Sequence, residues 1–170
     1  MNKNIILVGL SGSGKTTLGN ILSKLSSFSF VDTDEIIVKL QNRSINNIFS
    51  TNGEEFFRTL ETQVSKEVSA FDKQIISTGG GIVLKEENLK YLKQNGVVFY
   101  LKTSVNTLLT RLEGDTTRPL LKTDDVKKKL ENMLENREKL YEKADVTVET
   151  DKLSPEETAR EILRIYNERS

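Results

Sequence analysis

Short apolar runs alternate along the chain with stretches of helical period, the pattern of a parallel sheet covered by helices on both faces. Five runs read as strands: Asn4 to Val8, Ser29 to Val31, Gln74 to Ser77, Val97 to Leu101 and Val146 to Glu149. Between them Leu18, Ile21, Leu22 and Leu25 recur at helical spacing, as do Val105, Leu108, Leu109 and Leu112, and later Ala159, Ile162, Leu163 and Tyr166. Each stripe is expected to face the sheet. The last helix carries its own start signal, with Ser154 as N-cap, Pro155 at the first helical position and Glu157 closing a capping box. The elements predict an α/β three-layer sandwich. No repeat or low-complexity tract divides the 170 residues and only two prolines punctuate them, so a single domain over 1–170 is expected.

Composition narrows the chemistry. Hydrophobic residues at 36% and charged residues at 29% fit a globular protein rather than a membrane or disordered one. Without cysteine or histidine the chain builds no thiol nucleophile, Ser-His-Asp triad, imidazole base or cysteine/histidine zinc site. What remains is carboxylates, lysine, arginine, hydroxyls, backbone amides and a hard metal ion. Lysine plus arginine total 25 and aspartate plus glutamate total 25, so no global field draws nucleic acid or a membrane, and small-molecule partners are expected. The opening run Ile5 to Val8 is too short to span a bilayer and no signal-cleavage pattern follows it, which predicts a cytoplasmic location.

Gly9-Leu10-Ser11-Gly12-Ser13-Gly14-Lys15-Thr16 is a complete Walker A pattern, placed after a predicted strand and before a predicted helix. Its alternative is a glycine-rich turn that binds nothing, but the context is that of a phosphate cradle, with backbone amides and a helix N-terminus turned to anionic oxygens. Gly12, Ser13, Gly14, Lys15, Thr16 and the adjacent Thr17 are then the ATP-binding set. Within it Lys15 bridges the β- and γ-phosphates and the Thr16 hydroxyl ligates magnesium. The guanine-reading Asn-Lys-x-Asp and the Asp-x-x-Gly switch of GTPases are both missing, and motor or transporter ATPases are normally larger. Residues about 113–125, EGDTTRPLLKTDD, form a polar, arginine-bearing stretch, either a solvated connector or a mobile lid that closes over a nucleotide.

Acceptor candidates cluster after the other strands. Asp32-Thr33-Asp34 sits at a strand's carboxyl end, where one carboxylate can hold a magnesium shell and the other an alcohol nucleophile. Asp34 reads equally as the N-cap of a helix starting near Glu35. Glu61 falls inside the apolar stripe Phe57, Leu60, Val64, Val68 with Arg58 at its edge, a purely structural ion pair or a rigid clamp for a substrate carboxylate. Arg137 lies on the inward stripe with Leu130, Leu134 and Tyr141, where an internal acid or an anionic ligand would satisfy it. Gly79-Gly80-Gly81 is a flexible turn or a site of close ligand approach. Lys127-Lys128-Lys129 reads as a solvated helix face.

Taken with Gly53-Glu54, Thr78, Arg118-Pro119-Leu120-Leu121 and Ala144, these segments in this order resemble the shikimate kinase family over nearly the whole chain. The resemblance implies a P-loop NTPase-type sheet of five parallel strands in the order 2-3-1-4-5, acting as a monomer, with a lid near 113–125 and a substrate-binding region near 34–62. It implies MgATP-dependent phosphorylation of the shikimate 3-hydroxyl on the route to chorismate, with ATP/ADP and shikimate as partners and Mg2+ as cofactor. Carried over by position, it makes Lys15, Asp34 and Arg118 the catalytic set, with Asp34 on the substrate hydroxyls and Arg118 on the transferring phosphate. Arg58 and Arg137 become a carboxylate clamp, Gly79, Gly80 and Gly81 substrate contacts, and Thr16 with Asp32 the magnesium shell. Arg111 and the turn Lys152 to Pro155 flank the adenine. Ser77-Thr78 occupy the strand end where a Walker B aspartate is usual, so the metal leans on Thr16 and Asp32. Two rivals share the phosphate loop: a kinase for gluconate or a nucleoside monophosphate, and a non-catalytic ATP-binding module, whose expected damage at Lys15, Asp34 or Arg118 is missing.

Overall fold

Asn4 and its four apolar successors Ile5, Ile6, Leu7 and Val8 are all buried, so strand β1 (Asn4–Val8) is covered on both faces rather than half-exposed. The computed structural model describes residues 3–113 and 123–169. Its sheet has five strands in the order β2-β3-β1-β4-β5, with β2 Ser29–Asp32, β3 Gln74–Ser77, β4 Gly96–Lys102 and β5 Val146–Glu149. Every neighbouring pair is parallel, and Ile6 of β1 sits between Ile76 of β3 and Val98 of β4. The expected order holds, β2 runs one residue longer than its apolar pattern, and β4 runs one longer at each end.

Helices α1 (Lys15–Ser26) and α8 (Pro155–Arg169) cover one face, where Leu18, Leu22, Ala159 and Ile162 meet Ile5, Leu7, Ile75 and Phe99. The other face carries α2 (Thr33–Gln41), α3 (Ile45–Asn52), α4 (Glu54–Val68), a short 3₁₀ turn (Ile82–Leu84), α5 (Glu86–Gln94), α6 (Val105–Glu113) and α7 (Thr123–Tyr141). Its core gathers Ile37, Ile48, Phe57, Val64, Leu108 and Tyr141 around Ile6, Val8, Ile76 and Val98. The capping box of α8 forms as expected: Glu157 N–H donates to Ser154 Oγ (3.1 Å), and Ser154 N–H to Glu157 Oε2 (2.7 Å).

Three expectations change. Leu25, near the end of α1, is 46% exposed and does not join the buried stripe of Leu18 and Leu22. The cap of α2 is Asp32, not Asp34: Asp32 keeps extended geometry (φ −116°, ψ 120°) and its Oδ1 accepts the N–H groups of Asp34 and Glu35 at 2.9 and 3.2 Å. The stretch expected as a loop over 113–125 is helical from Thr123 onward and ends α6 at Glu113. The remainder of that stretch, Arg118 included, lies outside the described residues. Lys127, Lys128 and Lys129 are exposed on α7, as a solvated face requires. Among the described residues no helix is long and apolar enough to cross a membrane.

Candidate active site

β1 delivers the chain to a loop that curls back over its own lysine. Gly14, left-handed at φ 94°, turns the loop into α1, and Lys15 Nζ donates to the carbonyls of Gly9 (2.7 Å) and Leu10 (2.9 Å). Burial pushes the Lys15 ammonium down to about 8, against the pull of the Asp34 and Asp32 carboxylates, which hold it up. Anionic phosphates favour the charged form, so a nucleotide held on this loop, as the sequence predicts, would recharge the lysine above pH 8. Nucleotide affinity is therefore expected to fall as pH rises past that value, approaching about tenfold per unit. Calorimetry in buffers of differing ionisation enthalpy should find proton uptake approaching about one per nucleotide near pH 9. Affinity independent of pH across this range would contradict the coupling.

Beside the loop opens a cavity of about 390 Å³ at the carboxyl ends of the strands. Ser11 to Thr17 form its floor, and Asp32, Asp34, Ser77, Thr78, Gly79 and Gly80 form one wall. At the opposite mouth Arg111 Nη1 donates to Gly12 O (3.2 Å), facing Leu153 and Pro155 of the expected adenine turn. Thr150 and Thr158 complete that side. The sequence reading missed both threonines, since nothing in the pattern of β5 or α8 distinguishes them from structural residues.

With the cap role taken by Asp32, the Asp34 carboxylate turns inward, and its buried Oδ1 has no hydrogen-bond partner among the described residues. The same is true of Glu61 Oε1 on α4. Both orphans converge on Gly79: a Cβ built there would lie 2.7 Å from Asp34 Oδ1 and 3.2 Å from Glu61 Oε1. Burial and the neighbouring Asp32 raise Asp34 above the usual carboxylate range, with Lys15 and Arg58 opposing. Burial raises Glu61 too, against the hydrogen bond and charge of Arg58. Two unpaired acceptors at one point are an unfinished polar site, since buried polar atoms are otherwise paired. The unpaired Glu61 oxygen was not foreseen; its only signal was an acid inside an apolar stripe.

Arg58 is the ion pair expected, and more tightly held than expected. Its Nη1 donates to Glu61 Oε2 at 2.8 Å, and Nε and Nη2 reach Glu54 Oε1 at 3.3 and 3.2 Å. Its guanidinium carbon lies 5.4 Å from the Phe57 ring and 6.0 Å from the Phe49 ring. Burial works against the charge, but Glu61 and Glu54 outweigh it and raise its pKa. A Cβ on Gly81 would sit 2.1 Å from Arg58 Nη1, so only glycine lets the guanidinium lie against that backbone. The three bonds engage three of the five guanidinium N–H donors, and the fork retains capacity for a ligand.

Arg137 reaches the same rim from α7, but it is half-buried rather than enclosed. Its Nη1 lies 3.7 Å from the Cβ position of Gly80, and the Tyr141 hydroxyl beside it donates to Gly80 O. Tyr141 in turn stacks on Tyr100 with ring centroids 5.0 Å apart. The structure thus brings Lys15, Asp32, Asp34, Gly79 and Gly80 around one cavity, with Arg58 packed against Gly81 and Arg137 near Gly80 behind that wall.

A family model described as Shikimate kinase matches residues 11–167. Among curated proteins, a shikimate kinase of Thermodesulfovibrio yellowstonii is 43% identical over 164 residues, covering 96% of this chain and 95% of the relative. One from Rippkaea orientalis is 47% identical over 161 residues, covering 94% and 86%. Among solved structures, shikimate kinase from Acinetobacter baumannii in complex with shikimate superposes with a TM-score of 0.89 at 37% identity, covering 99% of this chain and 94% of that one.

Proposed function

The chain belongs to the shikimate kinase family, and from that premise we propose how its residues divide the work of moving the γ-phosphoryl group of ATP to the 3-hydroxyl of shikimate. The products are shikimate 3-phosphate and ADP, on the way to chorismate and the aromatic amino acids. The observation that carries the division is the pair of orphan oxygens, Asp34 Oδ1 and Glu61 Oε1, beside the Arg58 guanidinium. Shikimate is an anionic triol: the acids accept its hydroxyl protons, and Arg58 with Arg137 takes its carboxylate.

Gly12 to Thr17 cradle the ATP phosphates, Lys15 leaves the loop carbonyls for the phosphate oxygens, and Arg111 with Leu153 and Pro155 flanks the adenine. Thr16 and Asp32 both line the cavity, and only one Asp32 oxygen is committed to the helix cap, so this hard-oxygen pair suits Mg2+. When bound with ATP, the ion neutralises charge on the phosphate oxygens. The acceptor oxygen attacks the γ-phosphorus, the bond from that phosphorus to the β–γ bridging oxygen breaks, and Asp34 takes the hydroxyl proton. Arg118 is proposed to steady the transferring group. The proposal includes a monomer, as the family resemblance implies, working in the cytosol.

The test is ADP release with MgATP and, separately, shikimate, quinate, gluconate and nucleoside monophosphates. Turnover is expected with shikimate alone. Turnover with gluconate or a nucleotide in place of shikimate would overturn the acceptor reading and leave the phosphate loop standing.

A further inference from the structure

The proposed acceptor site lies between two segments packed against each other: α4, which carries Arg58 and Glu61, and the glycine segment Gly79 to Gly81 with the 3₁₀ turn that follows. Their spacing is tight, because Arg58 Nη1 occupies the space that a Gly81 Cβ would fill. A small slide of one wall against the other therefore moves the guanidinium. One buried side chain bonds to both. Asn88 of α5, 1% exposed, donates from Nδ2 to the Ile82 carbonyl at 2.8 Å, one residue beyond the glycine segment. Its Oδ1 accepts from the Thr62 hydroxyl of α4 at 2.7 Å, and that hydroxyl also lies 3.2 Å from the carbonyl of Arg58 itself. A carbonyl only accepts, so Ile82 fixes the orientation of the amide, and Oδ1 is left for Thr62.

We propose that Asn88, acting with Thr62, is a positioning residue for acceptor recognition, setting the distance between the Arg58 helix and the glycine wall. Asn88 lines no part of the cavity and touches no reacting group. It acts on where the Arg58 fork lies, and this rests on the reading of Arg58 as the carboxylate clamp. Among the described residues nothing on the nucleotide side bonds to this amide, so the effect is expected on one substrate only.

The experiment measures both Michaelis constants for Asn88→Leu, Thr62→Val and Thr62→Ser, with Arg58→Ala alone and combined with Thr62→Val. Asn88→Leu and Thr62→Val are expected to raise the shikimate KM by about tenfold, less than the roughly hundredfold a 1 Å misplacement can cost, and to leave the ATP KM unchanged. Thr62→Ser, which keeps the hydroxyl, is expected to retain the native shikimate KM. In the Arg58→Ala background Thr62→Val should raise that KM no further, because the group it positions is gone. A melting temperature that falls while both KM values stay native would reduce the amide to packing and overturn the proposal, as would an undiminished effect of Thr62→Val without Arg58. An Arg58→Ala protein with native shikimate KM would instead strike the clamp reading, and the proposal with it. Should Asn88→Leu fail to fold, the near-isosteric Thr62→Val decides alone.

Discussion

Replacing Asp34 with asparagine is expected to lower kcat by about two to four orders of magnitude, with the protein folded and shikimate still bound. The substitution keeps the shape and a hydrogen-bond acceptor while removing the carboxylate's charge and its capacity to take a proton. Asp34 caps no helix in this fold, since Asp32 does so, and its Oδ1 is buried without a partner, so the structural loss is small. Burial and Asp32 already raise its proton affinity above that of an ordinary carboxylate, which suits a group that must accept one. A second effect travels to the nucleotide. Asp34 is the leading charge that holds Lys15 up, so the neutral amide lowers the lysine further below about 8, and the comparison belongs near neutral pH. Because the transition state of phosphoryl transfer is loose, a kcat within about fivefold of the native value would mean that positioning suffices and Asp34 is no base.

Arg58→Ala is expected to weaken shikimate binding by about 2 to 5 kcal/mol, roughly thirtyfold to several thousandfold in KM, with the ATP KM preserved. Part of the damage is not recognition. Glu61 would be left with neither oxygen bonded to its main partner in a site that already raises its pKa, and an abandoned buried charge destabilises by about 3 to 5 kcal/mol. The double variant Arg58→Ala, Glu61→Gln separates the two: thermal stability should partly return, and the raised shikimate KM should not. If the KM recovers with the stability, Arg58 holds Glu61 and nothing else.

Much of this arrangement is legible in the sequence, and the parts that are not share a cause. The all-apolar Ile5 to Val8 can only be a doubly covered strand, and the glycine spacing before Lys15 permits few loops, so β1 and the phosphate cradle follow from local chemistry. Asp32 and Asp34 are two residues apart and equally able to cap a helix; which one does so depends on where extended geometry ends, a dihedral that the register of β2 against β3 decides. Glu61 could be seen to pair with Arg58, but its second oxygen is left free by the backbone of Gly79, distant in sequence. Thr150 and Thr158 line the cavity only because β5 lies next to β4 at the sheet edge. Local signals specify elements; the walls of the pocket are made by neighbours that the topology supplies.

On the proposed reading, the two faces of the sheet serve mainly different substrates. Asp34, Arg58, Glu61 and Arg137 all project from helices of the α2 to α7 layer, whereas α1 behind the phosphate loop and Thr158 of α8 belong to the opposite layer. The phosphate grip and acceptor choice are thereby mounted largely on opposite layers, bridged where Arg111 of α6 reaches across to the carbonyl of Gly12. Such a chassis lets the acceptor layer be rebuilt around a different small hydroxyl compound while the machinery that holds the phosphate chain stays as it is.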